Sequence, residues 1–264
     1  MAAASIRGGN APVVRRVRAR GRLPKRVIRH NRCPAPRSGS QERVWFFDLD
    51  NTLHDASHAI FPHIDRAMTE AVMEALRLDH ADATAMREKY WRKYGATMIG
   101  MVRHHDVCAA DFLHRSHCFE IEPLVRGEKR LFKRLHRLPG RKIVLTNAPR
   151  EYACRVLKTL GIFSCFDQIW AIEQMRFLQQ FRVKPSRALY RHVLAMAGVS
   201  AHRSVLVEDT VANLKGAKEI GMRTVYIKHA GTPFARLHAG RAPYVDLTVN
   251  SLSALLRRRR ISMC

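Results

Sequence analysis

Two aspartates separated by one residue, Asp48 and Asp50, are the first residues of this sequence with an evident chemical use. Side chains two positions apart on an extended segment point to the same side, so both carboxylates can face one reacting centre. This arrangement suits a nucleophile beside a general acid and base. Asp-Leu-Asp occurs often by chance, so its meaning depends on what else comes to the same place.

Four further polar residues have the chemistry of a phosphoryl-binding site. Glu208 and Asp209 are adjacent and supply hard oxygen ligands of the kind that Mg²⁺ takes together with water and substrate phosphate. Lys184 adds a fixed positive charge and Thr146 a hydroxyl donor, and both suit the oxygens of a phosphoryl group in its transition state. Together with the aspartate pair, these residues predict phosphoryl transfer.

The predicted elements explain how these residues can meet. Short apolar, β-prone runs predict strands at 44–47, 142–145, 168–172, 204–207 and 224–227. Helices are predicted near 152–160, over 185–197 with Pro185 in the first turn, and up to Ile220. This alternation predicts an α/β fold, a Rossmann-like parallel sheet with helices on both faces, in which ligands bind at the carboxyl ends of the strands. Since the polar residues follow strands or lie in the loops behind them, we expect them to line one crevice.

A long helical stretch interrupts the alternation. From Ile60 to Leu78 apolar residues recur at spacings of three and four, which predicts an amphipathic helix, and helical patterns continue beyond it. Residues 54–135 carry almost no strand signal. We therefore expect an all-helical insertion at 54–135, which divides the α/β domain into 44–53 and 136–256.

The net charge of +25 is the outlier of a composition that is otherwise ordinary for a soluble globular protein. Residues 1–43 hold twelve Lys and Arg against one acidic residue, Glu42, and 257–260 add four arginines, so more than half of the excess lies in the ends. An Arg-, Ala-, Pro- and Gly-rich stretch without apolar periodicity buries too little surface to order itself. We expect 1–43 to be a disordered basic tail and 257–264 a basic C-terminal tail; a mitochondrial presequence and a misassigned start site are the alternatives for 1–43.

Other features exclude whole classes of protein. No apolar run approaches the roughly 18 residues needed to cross a bilayer, so no membrane partner is expected. The six cysteines form no C-x-x-C pair and no secretory signal is recognisable, which favours reduced thiols and a cytoplasmic location. His114, His117 and Cys118 could form part of a metal site, but no second ligand pair lies at zinc-site spacing, so no zinc site is predicted. The sequence leaves the oligomeric state open.

Four segments together resemble the motifs of the haloacid dehalogenase superfamily: Phe47-Asp48-Leu49-Asp50-Asn51-Thr52-Leu53, Thr146-Asn147, Lys184-Pro185 and Glu208-Asp209-Thr210-Val211-Ala212-Asn213. The resemblance spans about residues 44–230, and it implies a Rossmann-like core with a helical cap inserted after the first motif. Phosphatases and phosphomutases of the superfamily have Asp at the position of Asp50, whereas dehalogenases lack an acid there and pump ATPases carry Thr. Hydrolysis of a phosphate monoester is therefore the implied reaction.

The resemblance also implies a role for each motif residue. Asp48 would attack phosphorus in line and form an aspartyl-phosphate, while Asp50 would protonate the leaving oxygen and then activate water. Thr146 and Lys184 would hold the phosphoryl oxygens, helped by backbone amides such as that of Asn147. Mg²⁺ is the implied cofactor. Its ligands would be the Asp48 carboxylate, the main-chain carbonyl of Asp50, and Asp209, with Glu208 in support.

Two cap-side segments, Leu53–Ser57 and Tyr94–His105, resemble the pyrimidine 5′-nucleotidase branch, which implies UMP or CMP as substrate and nucleoside plus phosphate as products. An aromatic ring followed by basic and imidazole side chains can stack on a base and donate hydrogen bonds to base and ribose. The candidate substrate-binding residues are Tyr94, Arg103, His104 and His105. The plainer alternative is that this segment only packs the cap helices.

Three other functions stay open at this point. A sugar-phosphate or phosphoglycolate phosphatase would share the core and differ in what the cap accepts. A phosphomutase is less favoured, because nothing in the cap shows that water is excluded from the intermediate. A nucleic-acid-binding protein would use the basic tails, but tails without interleaved aromatic residues are weak evidence for that. The expected partner is a small-molecule phosphate ester, a pyrimidine nucleoside monophosphate, and no specific nucleic acid is expected.

Overall fold

The computed structural model describes residues 42–177, 179–232 and 242–258. The predicted basic tails, 1–43 and 257–264, fall almost wholly outside these ranges. Within them, no helix has both the length and the apolar character needed to span a bilayer.

A six-stranded parallel sheet forms the core of the described chain. Its strands are β1 (Val44–Phe47), β2 (Arg141–Leu145), β3 (Gln168–Trp170), β6 (Ser204–Glu208), β7 (Arg223–Ile227) and β8 (Leu247–Val249). Two further strands, β4 (Arg176–Phe177) and β5 (Gln180–Phe181), lie outside this sheet. The sheet has the order β3-β2-β1-β6-β7-β8, and β4 and β5 form a separate two-stranded antiparallel hairpin. The most apolar strand, β1, therefore lies inside the sheet, as expected for a parallel strand buried on both faces.

Helices cover both faces of the sheet, which confirms the predicted fold class. Among the described residues they are α1 (Ile60–Leu76), α2 (His80–Tyr94), α3 (Thr97–His105), α4 (Ala109–His117), α5 (Leu131–Arg137), α6 (Arg150–Thr159), α7 (Arg187–Ala197), α8 (Val211–Lys218) and α9 (Leu252–Leu256). Successive residues of a strand point to opposite faces. Trp45 and Phe47 thus pack with α5, α6 and α9, while Val44 and Phe46 pack with α7 and α8.

Helices α1 to α5 lie between β1 and β2 in the chain. Helix α2 begins after Asp79, whose carboxylate accepts a hydrogen bond from the N–H of Asp82 at 2.8 Å, and ends at Gly95 with φ +79°. Helix α3 then packs against it so closely that a Cβ at Gly100 would lie 2.1 Å from a ring carbon of Tyr90. Only glycine permits this contact.

The element boundaries differ from the sequence prediction in three places. Pro185 lies outside α7, because Ser186 caps that helix and its hydroxyl accepts a hydrogen bond from the N–H of Leu189. The strand predicted over 168–172 ends at Trp170, where the chain turns towards a 3-10 helix. The β4–β5 hairpin, β8 and α9 were not predicted. The strands β4, β5 and β8 have only two or three residues, too few to show a periodic apolar pattern, and α9 is little more than one turn.

Candidate active site

The candidate catalytic carboxylates meet at the carboxyl ends of β1 and β6. These neighbouring strands are in register, with Phe47 opposite Val207, so Asp48 and Glu208 emerge side by side. The N–H of Asp48 continues the ladder by donating to the carbonyl of Val207 at 2.9 Å. Asp209 follows directly, and all three carboxylates are buried. The parallel sheet therefore brings together residues that are far apart in sequence.

A buried lysine joins two of these carboxylates. The Nζ of Lys184 lies 2.6 Å from Asp48 Oδ1 and 2.7 Å from Glu208 Oε2, and the lysine is only 2% exposed. Burial by itself would lower the pKa of Lys184, but the two carboxylates outweigh burial and raise it above its ordinary value. Lys184 thus stays a cation next to the proposed nucleophile.

The backbone of Lys184 is held by Asn147. The Nδ2 of Asn147 donates to the Lys184 carbonyl at 3.1 Å, and the Lys184 N–H donates to Asn147 Oδ1 at 3.1 Å. On the other side lies Gly95, where a Cβ would come 2.7 Å from the same carbonyl. The side chain of Asn147 therefore positions the lysine, and only its backbone amide is left for the predicted phosphate contact.

Thr146 follows β2 and is 1% exposed. Its N–H donates to the carbonyl of Trp170 at 2.9 Å, and its Oγ1 accepts a hydrogen bond from the N–H of Ala148 at 3.0 Å. These contacts fix the hydroxyl oxygen but do not use the hydroxyl hydrogen. Thr146 can therefore donate to a phosphoryl oxygen, as the sequence predicts.

Glu208 and Asp209 differ in how many protein donors they meet. Glu208 accepts hydrogen bonds from Lys184 and Asn213 on Oε2 and from the N–H groups of Asp209 and Thr210 on Oε1. Asp209 receives hydroxyl hydrogen bonds from Thr210 and Thr232. Glu208 therefore acts mainly as an anchor for the lysine and the following turn, while Asp209 is less saturated by the protein.

The acidic cluster fits a hard divalent cation. One carboxylate oxygen each from Asp48, Glu208 and Asp209 lie within 4.8 Å of one another. Burial and the neighbouring carboxylates raise the pKa of Asp48 well above its ordinary value, and burial together with the charge of Asp48 raises the pKa of Asp209 to about 6. Three carboxylates facing one ammonium leave an excess of negative charge, which a cation would offset.

Asp50 lies in a different environment from Asp48. Its Oδ1 accepts a hydrogen bond from the hydroxyl of Tyr152 at 2.6 Å and lies 2.9 Å from Nε2 of His54. Burial would raise the pKa of Asp50, but the hydrogen bonds from His54 and Tyr152 bring it below its ordinary value. The two aspartates, two residues apart, therefore have opposite pKa shifts, as expected for residues with different tasks.

Three residues of the site were not predicted from the sequence: His54, Tyr152 and Thr232. His54 directly follows the first motif segment, and its spacing of four from Asp50 was the available signal. Tyr152 follows the carboxyl end of β2 by a few residues, but a tyrosine on an apolar helix face is ordinarily a core residue. Thr232 lies beyond β7, where no sequence feature marks it.

The predicted cap residues form an aromatic cluster with one another. The Tyr94 hydroxyl lies 2.6 Å from Nε2 of His104, and the Tyr90 hydroxyl lies 2.6 Å from Nε2 of His105. The rings of Tyr90 and His104 are stacked, with centroids 5.5 Å apart, and the guanidinium of Arg103 lies 5.3 Å from the Tyr94 ring centroid. The cluster is joined to the site through the residue after Tyr94, the glycine that contacts the Lys184 carbonyl.

A cleft of about 350 Å³ lies between α3 and the β4–β5 hairpin. Its walls carry two guanidinium groups, two side-chain amides and an aromatic ring. The lining residues are Ile99, Val102, Arg103, Arg176, Gln179, Gln180 and Phe181. Arg103 therefore lines a cleft whose walls combine apolar surface with two guanidinium groups. The hydrogen bonds of His104 and His105 run to tyrosines.

A family model described as haloacid dehalogenase-like hydrolase matches residues 43–221. Phosphate metabolism protein 8 of Saccharomyces cerevisiae is 23% identical over 193 residues, which cover 68% of this chain but only 60% of the yeast protein. Glyceraldehyde 3-phosphate phosphatase of Pyrococcus furiosus is 23% identical, with 81% of this chain and 91% of that protein covered. Phosphoglycolate phosphatase of Pseudomonas putida is 26% identical, with coverages of 83% and 80%.

Solved structures show the same fold. The phosphatase from Thermococcus onnurineus superposes with a TM-score of 0.56 at 17% identity, covering 81% of this chain and 95% of that chain. CbbY from Rhodobacter sphaeroides in complex with phosphate gives a TM-score of 0.56 at 21% identity, covering 81% and 96%. At these identities the likeness concerns the fold alone.

The buried lysine generates a stability prediction. Lys184→Met should lower the free energy of unfolding by about 3–5 kcal/mol near pH 8, because two buried carboxylates lose their cation. Without the lysine the folded-state pKa values of Asp48 and Glu208 rise further above their unfolded values, and this penalty applies above those pKa values and fades as the carboxylates protonate. Urea unfolding at about pH 8 and about pH 5.5 should therefore show a smaller deficit at the lower pH.

Lys218→Met is the matched control. Lys218 also pairs with a carboxylate, that of Asp246, but its side chain is 37% exposed. Its loss should cost at most about 1 kcal/mol with little dependence on pH. Equal deficits for the two variants would contradict the account of Lys184 as a buried charge anchor.

Proposed function

The chain belongs to the haloacid dehalogenase-like hydrolase family, and from this membership we propose that it is a Mg²⁺-dependent phosphate-monoester hydrolase that works through an aspartyl-phosphate. The contact of Lys184 with Asp48 and Glu208 is the observation that carries the proposal. It sets a carboxylate oxygen beside a fixed positive charge that can hold a phosphoryl oxygen. Relatives named as phosphatases support the same reaction class.

In the first half-reaction a carboxylate oxygen of Asp48 attacks phosphorus while the bond from phosphorus to the ester oxygen breaks. Asp50 donates a proton to the departing oxygen, so that the product leaves as an alcohol. The negative charge of a bound phosphate favours the protonated form of Asp50, against the hydrogen bonds that lower its pKa in the free protein. Lys184 and Thr146 hold the phosphoryl oxygens.

In the second half-reaction water attacks the phosphorus of the aspartyl-phosphate. Asp50, now a carboxylate, takes a proton from that water, and the bond between phosphorus and the Asp48 oxygen breaks. Inorganic phosphate and the free Asp48 carboxylate result, and Asp50 is protonated again for the next cycle. One residue thus serves first as acid and then as base.

Mg²⁺ would be held by Asp48, the Asp50 main-chain carbonyl and Asp209, with Glu208 behind them. When bound, the cation supplies charge neutralisation between carboxylates and phosphate and favours the ionised form of Asp48. The hydrogen bonds already made by Glu208 support a position behind the ligands rather than among them.

We assign a pyrimidine nucleoside monophosphate, UMP or CMP, as the first candidate substrate. The aromatic cluster around Tyr94 and the cleft lined by Arg103 support this assignment, because Tyr94 precedes the glycine that contacts the Lys184 carbonyl and the cleft offers polar side chains. A nucleobase can stack on such rings and accept hydrogen bonds from such groups.

A sugar phosphate or phosphoglycolate is the second candidate. Relatives named glyceraldehyde 3-phosphate phosphatase and phosphoglycolate phosphatase favour it. Two arginines in the cleft, Arg103 and Arg176, suit a second anionic group on the substrate as well as they suit a nucleotide. The two candidates differ in whether an aromatic ring contributes to affinity.

The covalent step predicts that Asp48→Asn forms no phosphoenzyme. Turnover should fall at least about 10⁴-fold, since the nucleophile is removed. Acid quenching with ³²P-labelled substrate measures the covalent species directly. Asp55→Asn, a change of the same type in the loop after β1 where the side chain is 44% exposed, should behave like the unaltered protein. Labelling of the Asp48→Asn protein would contradict the covalent role.

The metal site predicts stabilisation by Mg²⁺ without any substrate. At 100 times its Kd, Mg²⁺ should raise the free energy of unfolding by about 2.7 kcal/mol, because it binds only the folded state. Asp209→Asn should lose most of this increment, and Asp246→Asn, which removes a partly buried carboxylate paired with Lys218, should keep it. Thermal melts with Mg²⁺ and with EDTA measure the effect, and an undiminished increment in Asp209→Asn would show that the ligand is misassigned.

The substrate assignment predicts a ring-dependent KM. For the unaltered protein, phosphate release with Mg²⁺ should be fastest for UMP and CMP in a panel that includes AMP, phosphoglycolate and sugar phosphates. Tyr94→Leu should raise KM for UMP about 10-fold, since stacking on a base contributes about 1–3 kcal/mol, and should leave KM for phosphoglycolate unchanged. Phe132→Leu, an exposed aromatic on α5, is the control. A panel led by phosphoglycolate or a sugar phosphate would favour the second candidate.

A further inference from the structure

Two buried side chains form hydrogen bonds with the same carboxylate oxygen of Asp50. Tyr152 and the side chain of His54 are essentially without solvent exposure, and both reach Oδ1, at 2.6 and 2.9 Å. Neither contact involves Oδ2. We propose that His54 and Tyr152 are positioning residues that fix Oδ1 of Asp50, so that Oδ2 is the oxygen that exchanges the proton; this inference rests on the proposed function.

The hydrogen-bonding capacity of His54 supports a donor role. Its Nδ1 is buried and has no hydrogen-bond partner among the described residues. A proton on Nδ1 would leave a buried donor unsatisfied, whereas the tautomer with the proton on Nε2 uses that proton in the bond to Asp50. Both neighbours of Oδ1 are then donors, which suits a carboxylate oxygen that is never itself protonated.

A buried tyrosine elsewhere in the core shows the ordinary alternative. The hydroxyl of Tyr190 donates to the main-chain carbonyl of Asn213 at 3.0 Å, which satisfies the hydroxyl without involving a charged group. Tyr152 could be satisfied in the same way, yet its hydroxyl donates to a carboxylate in the site. Burial and the charge of Asp50 raise the pKa of Tyr152 well above its ordinary value, so its hydroxyl stays protonated and stays a donor.

The two positioning residues come from different parts of the chain. His54 lies in the loop after β1, and Tyr152 lies on α6. The ring of Tyr152 meets the edge of His117 from α4, with centroids 5.4 Å apart and an angle of 62° between the planes. This ring contact therefore restricts where the Tyr152 hydroxyl can point, and with it the Asp50 carboxylate.

The two proton transfers of Asp50 explain what the positioning of its carboxylate would achieve. When the ester bond breaks, Oδ2 gives its proton to the leaving oxygen, and the resulting negative charge is shared with Oδ1, where two donors stabilise it. When water attacks, Oδ2 takes the proton back. Loss of either donor should therefore slow only the steps in which Asp50 exchanges a proton.

Tyr152→Phe tests this assignment with two substrates. With p-nitrophenyl phosphate the leaving group departs without a proton, so the variant should show a burst of p-nitrophenolate at the rate of the unaltered protein, followed by a steady state slowed about 10-fold or more. With an alkyl phosphate such as UMP, phosphoenzyme formation itself should slow by a similar factor, while KM changes little.

Conservative and control variants separate positioning from folding. His54→Gln keeps a donor at the reach of Nε2 and should retain most of the rate, whereas His54→Leu should behave like Tyr152→Phe. Tyr190→Phe removes a buried hydroxyl of the same kind and should leave both substrates unaffected. A burst lost in proportion to the steady state, equal slowing by Tyr190→Phe, or no effect of Tyr152→Phe would each overturn the assignment.

The same measurements distinguish a failure of the proposed function from a failure of this inference. If the unaltered protein forms no phosphoenzyme with either substrate, the covalent mechanism is wrong and the inference falls with it. If the unaltered protein forms the phosphoenzyme but Tyr152→Phe slows both half-reactions equally for both substrates, only the positioning role is wrong.

Discussion

The burial of one ammonium group between two carboxylates constrains the rest of this structure. A lysine that is 2% exposed must be paired, and Lys184 is paired with Asp48 from the end of β1 and Glu208 from the end of β6. These partners are fixed by the register of two neighbouring strands, and the lysine is fixed by two hydrogen bonds between its backbone and the side chain of Asn147 after β2. Three adjacent strands thus determine one contact, and a change in the register of any of them would leave a buried charge unpaired.

The positive charge of Lys184 does not neutralise all the carboxylates of the site, and the remaining negative charge defines the chemistry of the site. Asp209 adds a third carboxylate within 4.8 Å of the other two, and its pKa is raised to about 6 by burial and by Asp48. Glu208 accepts four hydrogen bonds from the protein, so its own charge is already stabilised. Asp48, which also contacts Lys184, and Asp209 are the two carboxylates proposed to share a cation, so the proposed nucleophile would be stabilised by both the lysine and the metal.

The sequence predicts the parts of this site that follow strict rules and misses those that depend on packing. Residues at the ends of parallel strands must meet, so Asp48, Thr146, Glu208 and Asp209 could be placed together from strand patterns alone. Tyr152 could not, because a tyrosine on the apolar face of a helix has the same pattern whether its hydroxyl meets a main-chain carbonyl, as in Tyr190, or a carboxylate of the candidate site. The β4–β5 hairpin was not predicted for another reason, because two-residue strands show no periodic apolar pattern. Residues of this hairpin nevertheless line the cleft beside Arg103.

The segment between β1 and β2 contacts both parts of the site that the proposed reaction would use. Gly95 lies against the Lys184 carbonyl, and the Gly95 carbonyl is 3.4 Å from the Asn147 amide that also donates to Lys184. His117 of α4 packs on the ring of Tyr152, whose hydroxyl donates to Asp50. Packing of this segment is therefore coupled both to the lysine proposed to hold phosphate and to the aspartate proposed to exchange protons.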